Sequence, residues 1–282
     1  MFFWKKKKNV TDTYSPFGIP SHNFITGDCR LKLIIDPPAS YFSKALKKDR
    51  QSYDNLLLIH GCETPDLNNI KQQVLDHASS FTKVYSFDKE VVEKCPNAEA
   101  FYFGSSWVLT NVQGQQIGMK DEYHNCFKLK NEFELSFIHS AKKELPGHVL
   151  RHSILPLLEK EHPFRLNFPK ERIATKIPLF EKAMFHIAIE NSRYENYITE
   201  KIIDCFMTYT IPVYWGCPNI GEHFDKHGII QFDTKEELAE ILHSLSPEDY
   251  TSRMEAVKKN YAIARENYAF FFDKINTYIA ER

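Results

Sequence analysis

The 282 residues carry 36 Lys and Arg against 37 Asp and Glu, a net charge of -1, with 43% hydrophobic residues. That length and composition suit two soluble α/β domains, and the balanced charge supplies no general field for nucleic acid. Only 10 glycines are present, too few for a glycine-rich nucleotide loop as the main device, and no apolar run nears the ~20 residues that cross a bilayer.

Residues 1–30 lack clear periodicity and read as a mobile arm or an atypical first element, with Lys5–Lys8 as a solvated tail. LKLII, closed by Asp36, reads as a strand, and NLLLIH (55–60) as a strand buried on both faces. A helical pattern covers 66–78, and KVYSF (83–87) and AFYFG (100–104) read as further strands. Residues 111–132 read as a linker. A second series follows, with strands at 133–138, 185–190, 211–216 and 228–232. Helices are expected at 146–161 (interrupted near Pro156), 198–209 and 235–245, and through most of the last thirty residues. Alternating strands and helices predict parallel sheets in two successive domains, with a ligand cleft between them.

Six cysteines (Cys29, Cys62, Cys95, Cys126, Cys205 and Cys217) are scattered without metal-ligand spacing. They read as reduced thiols of a cytoplasmic protein. The opening MFFW is too short for a signal-peptide core, and neither an HExxH nor an Asp-x-Asp metal motif occurs.

ENSRYENYITEK (190–201) concentrates charge and hydrogen-bonding groups between two apolar segments, FHIAI and IIDCFM. Strand, polar loop, helix and strand form a right-handed β-α-β unit, so the loop lies at the carboxyl edge of a parallel sheet. The helix start offers unpaired N–H groups and a positive dipole end to a phosphate. Ile198, Ile202, Cys205 and Phe206 form its buried face by spacing, while Glu200, Lys201 and Asp204 point elsewhere. Lys201 is placed to reach a phosphate oxygen, and Glu200 to accept two sugar hydroxyls. As ordinary surface residues the pair would contribute only about 0.3–0.5 kcal/mol. The surrounding Glu190, Asn191, Ser192, Tyr197 and Thr199 favour a built site.

The stretch 185–220 resembles the donor-binding motif of the α-1,3/4-fucosyltransferases, glycosyltransferase family 10. Phe185, then Glu190-Asn191-Ser192, then Tyr197-x-Thr199-Glu200-Lys201, then Pro212-Val213-Tyr214-Trp215-Gly216 carry the resemblance. It implies a GT-B fold: two Rossmann-like domains facing each other across a cleft. The expected boundaries are 1–125 for the acceptor side, 126–262 for the GDP-sugar side, and 263–282 for a final helix packing back on the first domain.

The resemblance further implies an inverting transfer of fucose from GDP-fucose to a glycan hydroxyl, with an α-1,3 linkage. Divalent metal would be at most stimulatory, and no cofactor is required. Asn191 and Tyr197 match residues on the nucleotide-sugar, Glu200 the carboxylate on donor hydroxyls, and Lys201 the lysine on the diphosphate. Arg151, in PGHVLRHSILPLL, matches a phosphate-binding arginine. Glu63 falls at the position of the general base, ahead of Asp36 and His60. Glu190, Ser192, Ser140 and Trp215 are further candidates, with Trp215 and Tyr214 read equally as stacking or core aromatics. Two other functions fit the same residues: a GT-B transferase using another GDP-sugar, or a non-catalytic sugar-nucleotide-binding protein.

Overall fold

The computed structural model describes residues 23–26, 29–61, 70–102, 104–108, 126–171, 173 and 175–268. The first sheet holds five strands: β1 (Asn23–Thr26), β2 (Cys29–Ile35), β3 (Asn55–His60), β4 (Lys83–Ser86) and β5 (Ala98–Ala100). They lie side by side in chain order. β1 runs antiparallel to β2, and the remaining pairs are parallel. Helices α1 (Lys44–Ser52), α2 (Ile70–His77) and α3 (Lys89–Lys94) connect these strands. Leu57, Leu58 and Ile59 of β3 are fully buried, as a central parallel strand requires.

Part of the arm expected over residues 1–30 is thus an edge strand. The strand expected over 100–104 is shorter and earlier. Phe101 N still donates to Ser86 O, after which the chain leaves the sheet. Its reason is packing elsewhere: a Cβ on Gly104 would lie 2.7 Å from the Tyr268 ring and 2.9 Å from Ile203.

The second sheet contains β6 (Glu132–Ser136), β7 (Arg165–Asn167), β8 (Ala183–Ile189), β9 (Ile211–Trp215) and β10 (Ile230–Gln231). All are parallel, in the spatial order β10-β9-β8-β6-β7. Between β6 and β7 the chain forms α4 (Pro146–Ser153) and α5 (Leu155–Leu158), split where Pro156 withholds an N–H. The short α6 (Ile177–Phe180) precedes β8, and α7 (Glu200–Met207) joins β8 to β9. Then come α8 (Lys235–Ser244), α9 (Pro247–Ser252) and α10 (Met254–Asn267). The short β7 and α6 lack a periodic signature in the sequence.

The expected boundary at 125/126 falls at the end of 109–125, outside the described residues. α10 runs unbroken through 262/263 and packs on α7. Tyr268, just beyond it, meets the Tyr102 ring at 6.5 Å. Among the described residues, no helix is long and apolar enough to cross a membrane.

Each sheet contains one buried His–Ser pair on neighbouring strands. His60 Nδ1 lies 2.9 Å from Ser86 Oγ, and His186 Nδ1 lies 2.8 Å from Ser136 Oγ. Burial pushes His60 down to about 4 and His186 down to about 3, so both rings are neutral in the folded protein.

Candidate active site

In the second sheet, β7 lies on one side of β6 and β8 on the other. The chain therefore reverses its direction of winding there, and the carboxyl ends of β6 and β8 flank a topological switch point. Open α/β sheets form their ligand crevices at such points. The loop 190–199 leaves β8 at this crevice, and α4 begins beside it.

The loop is folded around Glu190. This residue is fully buried, and its carboxylate accepts from Thr199 N at 3.2 Å and Thr199 Oγ1 at 2.6 Å. Thr199 is also the N-cap of α7, accepting from Lys201 N. One side chain thus ties the end of the strand to the start of the helix. Two glycines make room for it. A Cβ on Gly216 would lie 2.5 Å from Glu190 Cγ, and a Cβ on Gly147 would lie 1.7 Å from Glu190 O. The second contact lets Gly147 N donate to Asn191 O at 2.9 Å, docking α4 against the loop.

That docking delivers Arg151. Its guanidinium is buried and donates to Ile189 O from Nε at 3.1 Å and Nη2 at 2.7 Å. Nη2 also donates to Asn191 Oδ1 at 2.7 Å. Burial lowers the Arg151 pKa, and the nearby Glu190 and Glu200 oppose that effect; a guanidinium remains cationic at neutral pH.

Lys201 approaches the same segment from α7. Its Nζ stands 3.3 Å from Glu190 Oε2, 3.2 Å from Glu200 Oε1 and 3.0 Å from Thr199 Oγ1. Burial alone would raise the Glu200 pKa, but Lys201 and then Lys176 outweigh it and hold the carboxyl at about 2. Two cations therefore converge on residues 189–191 beside the amide end of α7.

The other candidates are placed as follows. Ser192 and Tyr197 are buried in the loop, and the Tyr197 ring meets Phe87, just beyond β4, at 5.3 Å. Phe87 in turn packs on Gly61. Trp215 ends β9 within the core, with the Arg193 guanidinium 5.9 Å over its ring. Tyr214 is also in the core, its hydroxyl accepting from Cys217 N at 3.0 Å. Ser140 is exposed in the loop after β6. Beside it, His139 lies among Phe137, Phe168 and His152.

Glu63 lies outside the described residues. Its rival Asp36 has φ 36 and accepts from Gly61 N at 2.8 Å. His60 is a packed strand residue. A cavity of about 440 Å³ opens nearby, lined by Lys71, Phe87 and Asp88 on one side and Tyr194, Glu195 and Asn196 on the other.

Cys95, Cys126, Cys205 and Cys217 are free and buried. Among the described residues, no three His, Cys, Asp or Glu side chains are grouped to hold a metal ion.

The sequence places Asp204 off the buried face of α7, yet it is fully buried. Residues 106–108 and Lys176 cover that side of the helix. The bracing role of Glu190 and the close approach at Gly147 are likewise set by contacts distant in the chain. The one local signal is an acidic residue four positions after Glu200 in an otherwise apolar run.

These features define a two-sheet α/β protein with a cluster of paired charges at the switch point of its second sheet. Residues 164–270 match the family model described as glycosyltransferase family 10 (fucosyltransferase) C-term. The alpha-(1,3)-fucosyltransferase FucT of Helicobacter pylori is 31% identical over 78 residues, or 26% of this chain and 16% of the relative's length. Two solved structures are similar at lower identity. One is an alpha1,3-fucosyltransferase with GDP (TM-score 0.49, 14% identity, 84% of this chain and 85% of that one). The other is an alpha1,3-fucosyltransferase with GDP-fucose (TM-score 0.47, 16% identity, 75% and 74%).

Proposed function

We propose that the protein is an inverting fucosyltransferase that moves fucose from GDP-fucose to a glycan hydroxyl, forming an α-1,3 linkage. The observation that carries this reading is the convergence of Arg151 and Lys201 on residues 189–191, at the amide end of α7. The family match over 164–270 supports the same reading.

In this mechanism the acceptor oxygen attacks the anomeric carbon as the bond to the diphosphate breaks. A carboxylate takes the hydroxyl proton, and GDP leaves with growing negative charge. Fixed cations and backbone amides aimed at that charge stabilise the transition state. Lys201, Arg151 and the first amides of α7 supply them, so the reaction does not require a divalent metal. Glu200 accepts from the donor's sugar hydroxyls, Asn191 and Tyr197 bind the nucleotide-sugar, and Glu63 is the base. The buried free cysteines suit a reducing compartment, and a cytoplasmic location belongs to this reading.

Calorimetry with GDP-fucose and GDP-mannose tests the donor. Equal affinity for the two would point to another GDP-sugar. GDP release from GDP-fucose tests catalysis; background release with every acceptor on a glycan array would leave only a binding protein. Glu63→Gln is expected to lower turnover by about 10²–10⁴-fold with donor affinity retained. Full activity in that variant would remove Glu63 as the base.

A further inference from the structure

α7 contains a fully buried carboxylate, Asp204, among Ile202, Ile203, Cys205 and Phe206. A buried carboxylate is tolerated only with donors around it. Its Oδ1 accepts from Ser106 Oγ at 2.9 Å, Trp107 N at 2.7 Å and Val108 N at 3.1 Å. Its Oδ2 accepts from Lys176 Nζ at 2.7 Å. Lys176, at the start of α6, is therefore fixed at one end.

The same ammonium stands 3.8 Å from Glu200 Oε1, whose other cationic neighbour is Lys201 at 3.2 Å. Glu190, Lys201, Glu200, Lys176 and Asp204 thus form a chain of alternating charge. An anion that draws Lys201 towards itself removes one of the two cations from Glu200. Lys176 is then the remaining ammonium within 4 Å of that buried carboxylate, with the Arg151 guanidinium held by Ile189 O and Asn191 Oδ1.

We propose that Lys176 is a positioning residue of the donor site: it is the standing counter-charge that keeps Glu200 ionised and in place while Lys201 turns to the diphosphate, and Asp204 anchors it there. The inference rests on the donor-site reading given above. Lys176 acts through Glu200 and does not touch the donor. The charged groups around Glu200 are Lys201 and Asp204 on α7, Lys176 before α6, Glu190 after β8 and Arg151 on α4. Of these, Lys176 is held by Asp204, whose other oxygen is fixed by residues 106–108.

The test compares wild type, Lys176→Gln, Lys176→Arg and the charge-neutral double variant Lys176→Gln/Asp204→Asn. Binding of GDP and of GDP-fucose is measured by calorimetry from about pH 3 to 8, with thermal melting as the control for folding. Lys176→Gln is expected to weaken GDP-fucose about tenfold more than GDP, because Glu200 serves the sugar. Its loss of GDP-fucose affinity at acid pH should begin about one pH unit or more above that of wild type. Lys176→Arg should restore both.

The double variant keeps an acceptor for residues 106–108 and is expected to fold, yet still to lose GDP-fucose selectively. GDP-fucose affinity and a pH profile equal to wild type in either Gln variant would reduce Lys176 to a structural role and overturn the inference. A wild type whose GDP-fucose affinity falls near the ordinary glutamate pKa of about 4.3 would overturn it without any variant. A wild type that binds neither GDP nor GDP-fucose would overturn the donor-site reading first, and the inference with it.

Discussion

Both sheets end at their carboxyl edges in a lysine clasped by two carboxylates. In the first, Lys71 lies 2.9 Å from Asp88 Oδ2 and 2.7 Å from Glu90 Oε2. In the second, Lys201 lies 3.3 Å from Glu190 and 3.2 Å from Glu200. The surroundings differ. The side chains of Lys71, Asp88 and Glu90 are 32%, 11% and 41% exposed, whereas those of Lys201, Glu190 and Glu200 are 19%, 0% and 9% exposed. Strand order explains the difference. The first sheet is wound in chain order without a reversal, and its clasp lies on a helix surface. The second reverses at β6 and β8, and its clasp is packed between α7 and the loop after β8, where charges out of water interact more strongly. One charge recipe therefore gives a surface ion pair in one sheet and a candidate anion site in the other.

The largest expected effect tests the buried clasp. Glu190→Ala leaves Thr199 N and Oγ1 without their acceptor and Lys201 with one carboxylate fewer. Removing one partner of a buried pair costs about 3–5 kcal/mol, to be read as a fall in the urea midpoint with loss of GDP binding. Stability within about 1 kcal/mol of wild type would show that the loop does not depend on this residue.

Next in size is an effect both sheets share. His60 and His186 are neutral when folded, with pKa values of about 4 and 3. The unfolded chain binds protons near 6.5, so it takes up more of them on acidification. Stability is therefore full above that pH and falls as pH drops towards 4, by about 3 kcal/mol for His60 alone. His60→Asn should flatten part of that acid slope, checked by urea unfolding between pH 7 and 4.

Smaller again is Gly147→Ala. Its methyl would meet Glu190 O at 1.7 Å, so α4 must shift and take Arg151 with it. Overpacking of this kind costs about 1–3 kcal/mol. Weaker GDP binding, measured at a temperature where the variant is folded, would separate the displaced Arg151 from a general loss of stability.

What could be read from the chain before folding follows from the range of the interactions. The β8-α7-β9 unit is legible because its apolar runs, its polar loop and the Thr199 cap are local. Lys201 and Glu200 stand out for the same reason. Lys176 and Asp204 do not, since their meaning comes from residues 106–108 and from α6, brought to α7 by the fold. Gly147 resembles any glycine near a helix start until Glu190 O is placed against it. β7, with three residues on an edge, offers too short a window for periodicity.

The smallest effect is expected at the exposed clasp, and it sharpens the contrast most directly. Lys71→Ala removes the cation between Asp88 and Glu90, but Asp88 Oδ1 still caps α3 by accepting from Glu90 N at 2.9 Å and Val91 N at 3.3 Å. Glu90 keeps Lys94 at 2.7 Å and returns its freed oxygen to water. The largely buried Asp88 keeps its two backbone donors and no charge is left without a partner or water, so the melting temperature should move by less than about 2 °C and GDP affinity should stay at the wild-type level. Lys71 also lines the cavity shared with Tyr194 and Asn196. A change in acceptor KM with donor affinity unaltered would make that cavity part of the acceptor path, whereas a loss of GDP affinity would mean that both clasps serve the donor and that strand order does not divide their roles.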